Sequence, residues 1–211
     1  MFHIEHISKS YGKKKILDDI SLSLEQGEAI GILGANGSGK STLLTSIIKK
    51  YSGDGSFNIG YVPQENPLFD ELKPLDNIRL WTKLSKAEIT DRLSMPPLNT
   101  LGIIDFIDTP VKKMSGGMKK RLSLATVLIN NPDILLMDEP FAALDLPAKQ
   151  DILVFMQNYL KHGGSILIVS HDKDIFDFCN HIYLLKNGKL TDAEALKAKG
   201  ISYIDMLRSR Q

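Results

Sequence analysis

Cysteine is almost absent from this 211-residue chain: Cys179 stands alone. No internal disulfide is possible, which implies a reducing compartment. The bland role for a single thiol is a small buried apolar side chain. An excess of charge of one sign is missing too. Lys and Arg total 26 against 25 Asp and Glu, a formal net charge of +1. No global field therefore draws the chain to nucleic acid or to anionic lipid. No apolar run approaches the roughly 18 residues that span a bilayer. The opening stretch, MFHIEHISKS, lacks the apolar centre of a secretory signal. The expectation is a cytosolic chain that meets a membrane only by docking on a membrane protein. Repeats and low-complexity tracts are absent as well. What is present, 43% hydrophobic and 24% charged residues, is the profile of a globule with a sizeable core.

Apolar patterning supplies the architecture. Residues 2–7 and 20–24 alternate or nearly so, as half-exposed strands do. Ala29-Ile30-Gly31-Ile32-Leu33 is a continuous apolar run, and Ile134-Leu135-Leu136-Met137 and Ser165-Ile166-Leu167-Ile168-Val169 read as a second and a third buried strand. Strands buried on both faces of a parallel sheet read in this way. A short strand pattern covers 57–62, and helical patterns cover 41–50, most of 67–130 with a break at Pro96-Pro97, and 147–162. Asn187-Gly188 is a two-residue hairpin turn, and the tail from Ala193 reads as one or two surface helices. Buried strands alternating with helices predict an α/β fold, a parallel sheet with helices on both faces. Ligands on such sheets bind beyond the carboxyl ends of the strands.

Two of those ends carry chemistry. Gly34-Ala35-Asn36-Gly37-Ser38-Gly39-Lys40-Ser41 fits the phosphate-loop pattern G-x-x-x-x-G-K-[ST], between a buried strand and a helix. Its glycines let backbone N–H groups converge on a β-phosphate, and the helix N-terminus adds free donors and a positive dipole end. Lys40 is placed to bridge β- and γ-phosphate oxygens, the Ser41 hydroxyl to ligate Mg²⁺, and Thr42 to reach the α-phosphate. The second end, ILLMDE, closes a hydrophobic strand with two carboxylates. Asp138 is placed to hold the metal through its water shell. Glu139, at the loop start, is placed to polarise the water that attacks the γ-phosphate.

The phosphate loop, this acidic strand end and the Ser115-Gly116-Gly117 stretch together resemble the nucleotide-binding domain of ATP-binding cassette (ABC) ATPases. The resemblance runs over nearly the whole chain. It implies a P-loop NTPase core at 1–66 and 130–211, a short antiparallel β subdomain, and an inserted helical subdomain at 67–129. Tyr11 matches the aromatic residue that stacks on adenine. Gln64 matches the Q-loop glutamine, which touches Mg²⁺ or the attacking water and senses the transmembrane partner. Met114–Met118 matches the signature, usually LSGGQ. Ala143-Leu144-Asp145 matches the D-loop, and His171 the switch histidine at the γ-phosphate. The family's chemistry implies ATP and Mg²⁺, with Glu139, His171 and Lys40 catalytic and Ser41, Gln64 and Asp138 at the metal. It also implies a head-to-tail pair of cassettes, with Ser115, Gly116, Gly117, Met118 and Asp145 acting in trans. Lys119, Lys120 and Arg121 read as solvated side chains.

The departures are specific. Met118 replaces the signature glutamine and loses an amide. Ala142 stands where the D-loop has serine, removing one hydroxyl hydrogen bond across the pair. The Lys40–Gln64 connection is short, so an antiparallel β-arm there is trimmed. A single cassette without a membrane span implies a separate permease subunit, which would dock between the Q-loop and the helical subdomain. Pro67, Leu68, Phe69, Leu72 and Trp81 are the apolar candidates for that surface. The leading expectation is the ATP-hydrolysing subunit of an ABC transporter, peripheral to the cytoplasmic face of the membrane. Two alternatives stay open: a low-turnover regulatory cassette in a heterodimer, and a soluble ABC ATPase acting on ribosomes or DNA.

Overall fold

The computed structural model describes residues 1–53, 55, 57–171, 175, 177–200 and 205. Two long strands, β1 (Phe2–Tyr11) and β2 (Lys14–Leu24), form an antiparallel pair. The second sheet has six strands. In chain order these are β3 (Ala29–Leu33), β4 (Ile59–Val62), β5 (Ile134–Asp138), β6 (Ser165–Ser170), β7 (His181–Lys186) and β8 (Lys189–Asp192). Their spatial order is β4-β5-β6-β3-β7-β8, parallel throughout except for β8. The β7–β8 turn at Asn187-Gly188 has φ of 50° and 75°, both in the left-handed region a tight hairpin needs.

Every residue of β3, β5 and β6 is buried, and successive side chains serve opposite layers. Ile30, Ile32, Leu136, Leu167 and Val169 face a core shared with β1, β2 and the helix α1 (Lys40–Tyr51). Ala29, Leu135, Met137, Ile166 and Ile168 face a second core, built with the inserted helices and with α5 (Leu146–Lys161). Two covered faces are why these strands read as unbroken apolar runs. Each fully buried side chain there, such as Ile152 or Phe155, stabilises by about 1.5–3 kcal/mol.

The inserted segment holds α2 (Pro74–Arg79), α3 (Lys86–Leu93), three short 3₁₀ turns between Leu98 and Lys113, and α4 (Gly116–Leu128). Ser85 and Glu88 close a reciprocal capping box at the start of α3. The expected helix from Pro67 begins only at Pro74. Asn77, fully buried, takes the Phe69 N–H at 2.8 Å and donates to the Phe69 carbonyl, which holds that stretch as a turn. The Lys40–Gln64 connection contributes a single strand among the described residues, and β4 is parallel to β5. The antiparallel subdomain is the N-terminal β1–β2 pair. Of the tail, α6 (Ala193–Lys197) is seen, and a second helix would fall at 201–204 and 206–211, outside the described residues. No helix among the described residues is long and apolar enough to cross a membrane.

Cys179 is partly covered, and burial pushes its thiol up to about 12. It is an unreactive packing residue against Gly31, where an added Cβ would meet its Sγ at 3.1 Å.

Candidate nucleotide site

The sheet order sets three strand ends side by side. Leu33 of β3 pairs with Ser170 of β6, and Asp138 of β5 pairs with Val169 of β6. The loops that leave these ends rim one open cleft of about 420 Å³. It gathers Tyr11 from β1, Gln64 beyond β4, Asp138 and Glu139 beyond β5, His171 beyond β6, and Asn36, Gly37, Gly39, Lys40, Ser41 and Thr42 of the phosphate loop.

The loop's conformation follows from its glycines. Gly37 and Gly39 have φ of 79° and 104°, the second as the N-cap of α1. A Cβ at Gly39 would stand 2.8 Å from Ile16 Cγ2, and one at Gly34 would stand 2.4 Å from Ser38 Oγ. Gly34 and Ala35 do not line the cleft; they accept from the Lys40 ammonium instead, at 2.8 and 3.4 Å through their carbonyls. The Ser38 hydroxyl is buried with no hydrogen-bond partner among the described residues. An unpaired buried hydroxyl is costly, and this one lies against Gly34, inside the loop.

Lys40 and Glu139 are both buried, with Nζ 3.4 Å from Oε1. The same Oε1 lies 2.9 Å from His171 Nδ1. Glu139 Oε2 accepts from the Ser170 hydroxyl at 2.9 Å and from the His171 N–H at 3.3 Å. The Glu139 backbone has φ 46°, a strained value for a non-glycine residue, which turns the carboxylate away from the strand line into the cleft. Asp138 is buried beside it. Burial first, then the Asp138 carboxylate, push the Tyr61 hydroxyl above its ordinary value. Tyr11 is 60% exposed at the rim, with the Lys9 ammonium over its ring at 5.4 Å from the centroid.

The residues expected to act in trans lie on a different surface. Ser115 caps α4, its Oγ accepting from the Met118 N–H at 3.2 Å. Asp145 caps α5, its Oδ1 accepting from the Ala148 N–H at 3.0 Å. The two helix starts abut: a Cβ on Gly117 would come within 2.7 Å of the Ala148 Cβ. Gly116 has open space in front of it. Met114 is buried, and Met118 packs half-buried against the same core. The Met118 side chain thus faces inward, while its N–H keeps the cap that any residue there would keep. Met118→Gln is expected to leave ATP hydrolysis within about twofold and to lower the melting temperature by ~2–4 °C, the shift about 1 kcal/mol of lost packing produces in a chain of this size. A steady-state assay and a thermal melt check the two halves.

Two residues at the site were not singled out from sequence. Ser170 lies at the end of a buried strand, next to His171, where a hydroxyl could have been suspected. Lys120 corrects an expectation: of the three basic residues after the signature, it alone is buried, at 3% exposure. Lys119 pairs with Asp70 at 3.1 Å, and Arg121 donates to the Leu101 carbonyl. Burial pushes the Lys120 ammonium down to about 8, and the Asp138 charge offsets part of that.

The chain is similar to known proteins over most of its length. A family model described as "ABC transporter" matches residues 17–142. The lantibiotic transport ATP-binding protein SrtF of Streptococcus pyogenes is 33% identical over 201 residues, covering 87% of each chain. The manganese transport system ATP-binding protein MntB of Bacillus subtilis is 34% identical over 215 residues, covering 88% of this chain and 85% of its own. Among solved structures, an ATP-binding subunit of an ABC transporter superposes with a TM-score of 0.79 at 23% identity, over 97% and 96% of the two chains. A dimeric, post-hydrolysis ATP-binding cassette bound to ADP and Pi superposes with a TM-score of 0.74 at 26% identity, over 89% and 95%.

Proposed function

We propose, from the premise that this chain belongs to the ABC transporter family, that it is the ATP-hydrolysing subunit that drives a separate transmembrane subunit. The observation that carries the reading is the meeting of Lys40, Glu139 and His171 in one cleft, with Glu139 Oε1 3.4 Å from the lysine and 2.9 Å from the histidine. Tyr11 stacks on the adenine. Backbone amides of 36–42 and the Lys40 ammonium hold the phosphates. Glu139 takes a proton from water as its oxygen bonds to the γ-phosphorus. The bond to the β–γ bridging oxygen breaks, and ADP and phosphate leave. His171 and Gln64 hold the γ-phosphate and the water in line, so most of the gain is positioning and charge neutralisation. Ser41, Gln64 and Asp138 offer oxygen donors that suit Mg²⁺, which keeps several waters and would neutralise charge on the β- and γ-phosphates.

The partner cassette supplies Ser115, Gly116, Gly117, Met118 and Asp145 to the same nucleotide, so two ATP molecules sit at a head-to-tail interface. The 67–129 segment is the signature subdomain, set beside a core of 1–66 and 130–211. A groove of about 390 Å³ lined by Pro63, Pro67, Trp81 and Val127 supports docking of the permease there. Of the other apolar candidates, Leu68 packs against the core, and Phe69 is 57% exposed and does not line that groove. The chain sits on the cytoplasmic face of the membrane, held by that partner. Mild-detergent purification of the tagged chain tests this. A transmembrane protein is expected to co-purify and to change the ATPase rate of the cassette. Recovery with ribosomes or DNA, and none in the membrane fraction, would overturn it.

A further inference from the structure

Lys120 has no part in the chemistry so far, yet its position is costly. A buried ammonium loses hydration that a methionine of similar length would not. Lys120 is a buried residue of α4, and its Nζ donates to the Pro63 carbonyl at 3.1 Å. The Pro63 carbonyl is the acceptor for that head, and the Asp138 charge acts on it through space. Pro63 immediately precedes Gln64, whose exposed side chain has no hydrogen-bond partner among the described residues. The glutamine is thus placed by its backbone, and that backbone is tied to α4 by the lysine.

We propose that Lys120 is a positioning residue for ATP turnover: it anchors the Pro63-Gln64 backbone to the helix that begins at Ser115, and so sets where the Gln64 amide stands in the cleft. The inference rests on the role assigned to Gln64 above. It has a geometric consequence for a cassette pair. The helix whose start faces the partner's nucleotide and the loop that reads the chain's own nucleotide are joined through one ammonium group.

A double-mutant cycle on the full chain tests it. Lys120→Met keeps the stem and removes the donor. It is expected to lower kcat by about 10- to 100-fold, the range for partners that orient a working side chain, with KM for ATP nearly unchanged. In a Gln64→Ala background it should lower kcat no further, because residues that act as one unit are not additive. Lys120→Arg, which restores a donor, should recover most of the rate. Equal losses from Lys120→Met in both backgrounds would overturn the positioning role. A Gln64→Ala chain with unchanged kcat would instead overturn the role of Gln64 itself, so the two failures are distinguishable. Should Lys120→Met fail to fold, Lys120→Leu, which also lacks a donor and is no bulkier, carries the same cycle.

Discussion

Glu139→Gln should cut ATP turnover by about 10²- to 10⁴-fold, the usual contribution of a general base, while ATP binding persists. The amide has the carboxylate's shape, so Ser170 Oγ and the His171 N–H keep an acceptor. What disappears is the atom able to take a proton from water. The substitution also removes a negative charge from the cleft floor, beside the place a γ-phosphate would occupy. Bound ATP should therefore hold two chains together longer, and a nucleotide-dependent dimer should appear on size-exclusion chromatography. Single-turnover kinetics decide the matter: hydrolysis at the wild-type rate would remove Glu139 from the role of base.

Lys40→Met should weaken ATP binding by about 10²- to 10³-fold, or about 3–4 kcal/mol, within the range lost when one member of a buried charged pair is truncated. The lysine is delivered by the first turn of α1 and aimed by the Gly34 carbonyl at 2.8 Å. Methionine fills the same space with no donor. Glu139 then keeps its bonds to Ser170 and His171 but loses the neighbouring ammonium, so a lower melting temperature should accompany the loss of binding. Titration with a fluorescent ATP analogue measures the first effect. Wild-type affinity would mean that the loop's amides alone hold the phosphates.

Much of this site could be read in the sequence because its parts sit where the rules of sheets are strictest. Residues 29–33, 134–137 and 166–169 carry no polar side chain since both faces of the sheet are covered, so the ends of the first two runs located Gly34 and Asp138, while His171, beyond the third, was placed by resemblance. The β1–β2 pair was harder. Register shifts between Ile4 and Ser10, with His6 at φ 51° and Asp19 at φ 54°, break the alternation, so residues 8–19 show no period. The turn at 67–73 was hidden because the buried amide that holds it, Asn77, belongs to the following helix. Lys120 was hidden for a related reason. α4 buries Ser123 and Thr126 beside Leu122 and Leu124, so no clean apolar stripe marks which of its basic residues points inward. The surface that carries Ser115 and Asp145 was legible only by resemblance, since its chemistry is completed by another chain.

The abutting starts of α4 and α5 carry a trade-off. Two helix N-termini held together bring two positive poles into contact, and each pole interacts with an anion by about 0.3–1 kcal/mol at a surface. At α5 the debt is settled within the chain, by the Asp145 carboxylate. At α4 it is not: the cap is a neutral serine, and the first turn holds no acidic residue. A chain selected for stability alone would place aspartate at 115 and silence that pole. Leaving it uncompensated makes the lone cassette slightly less stable than its sequence allows, and reserves the pole for negative charge that arrives from outside.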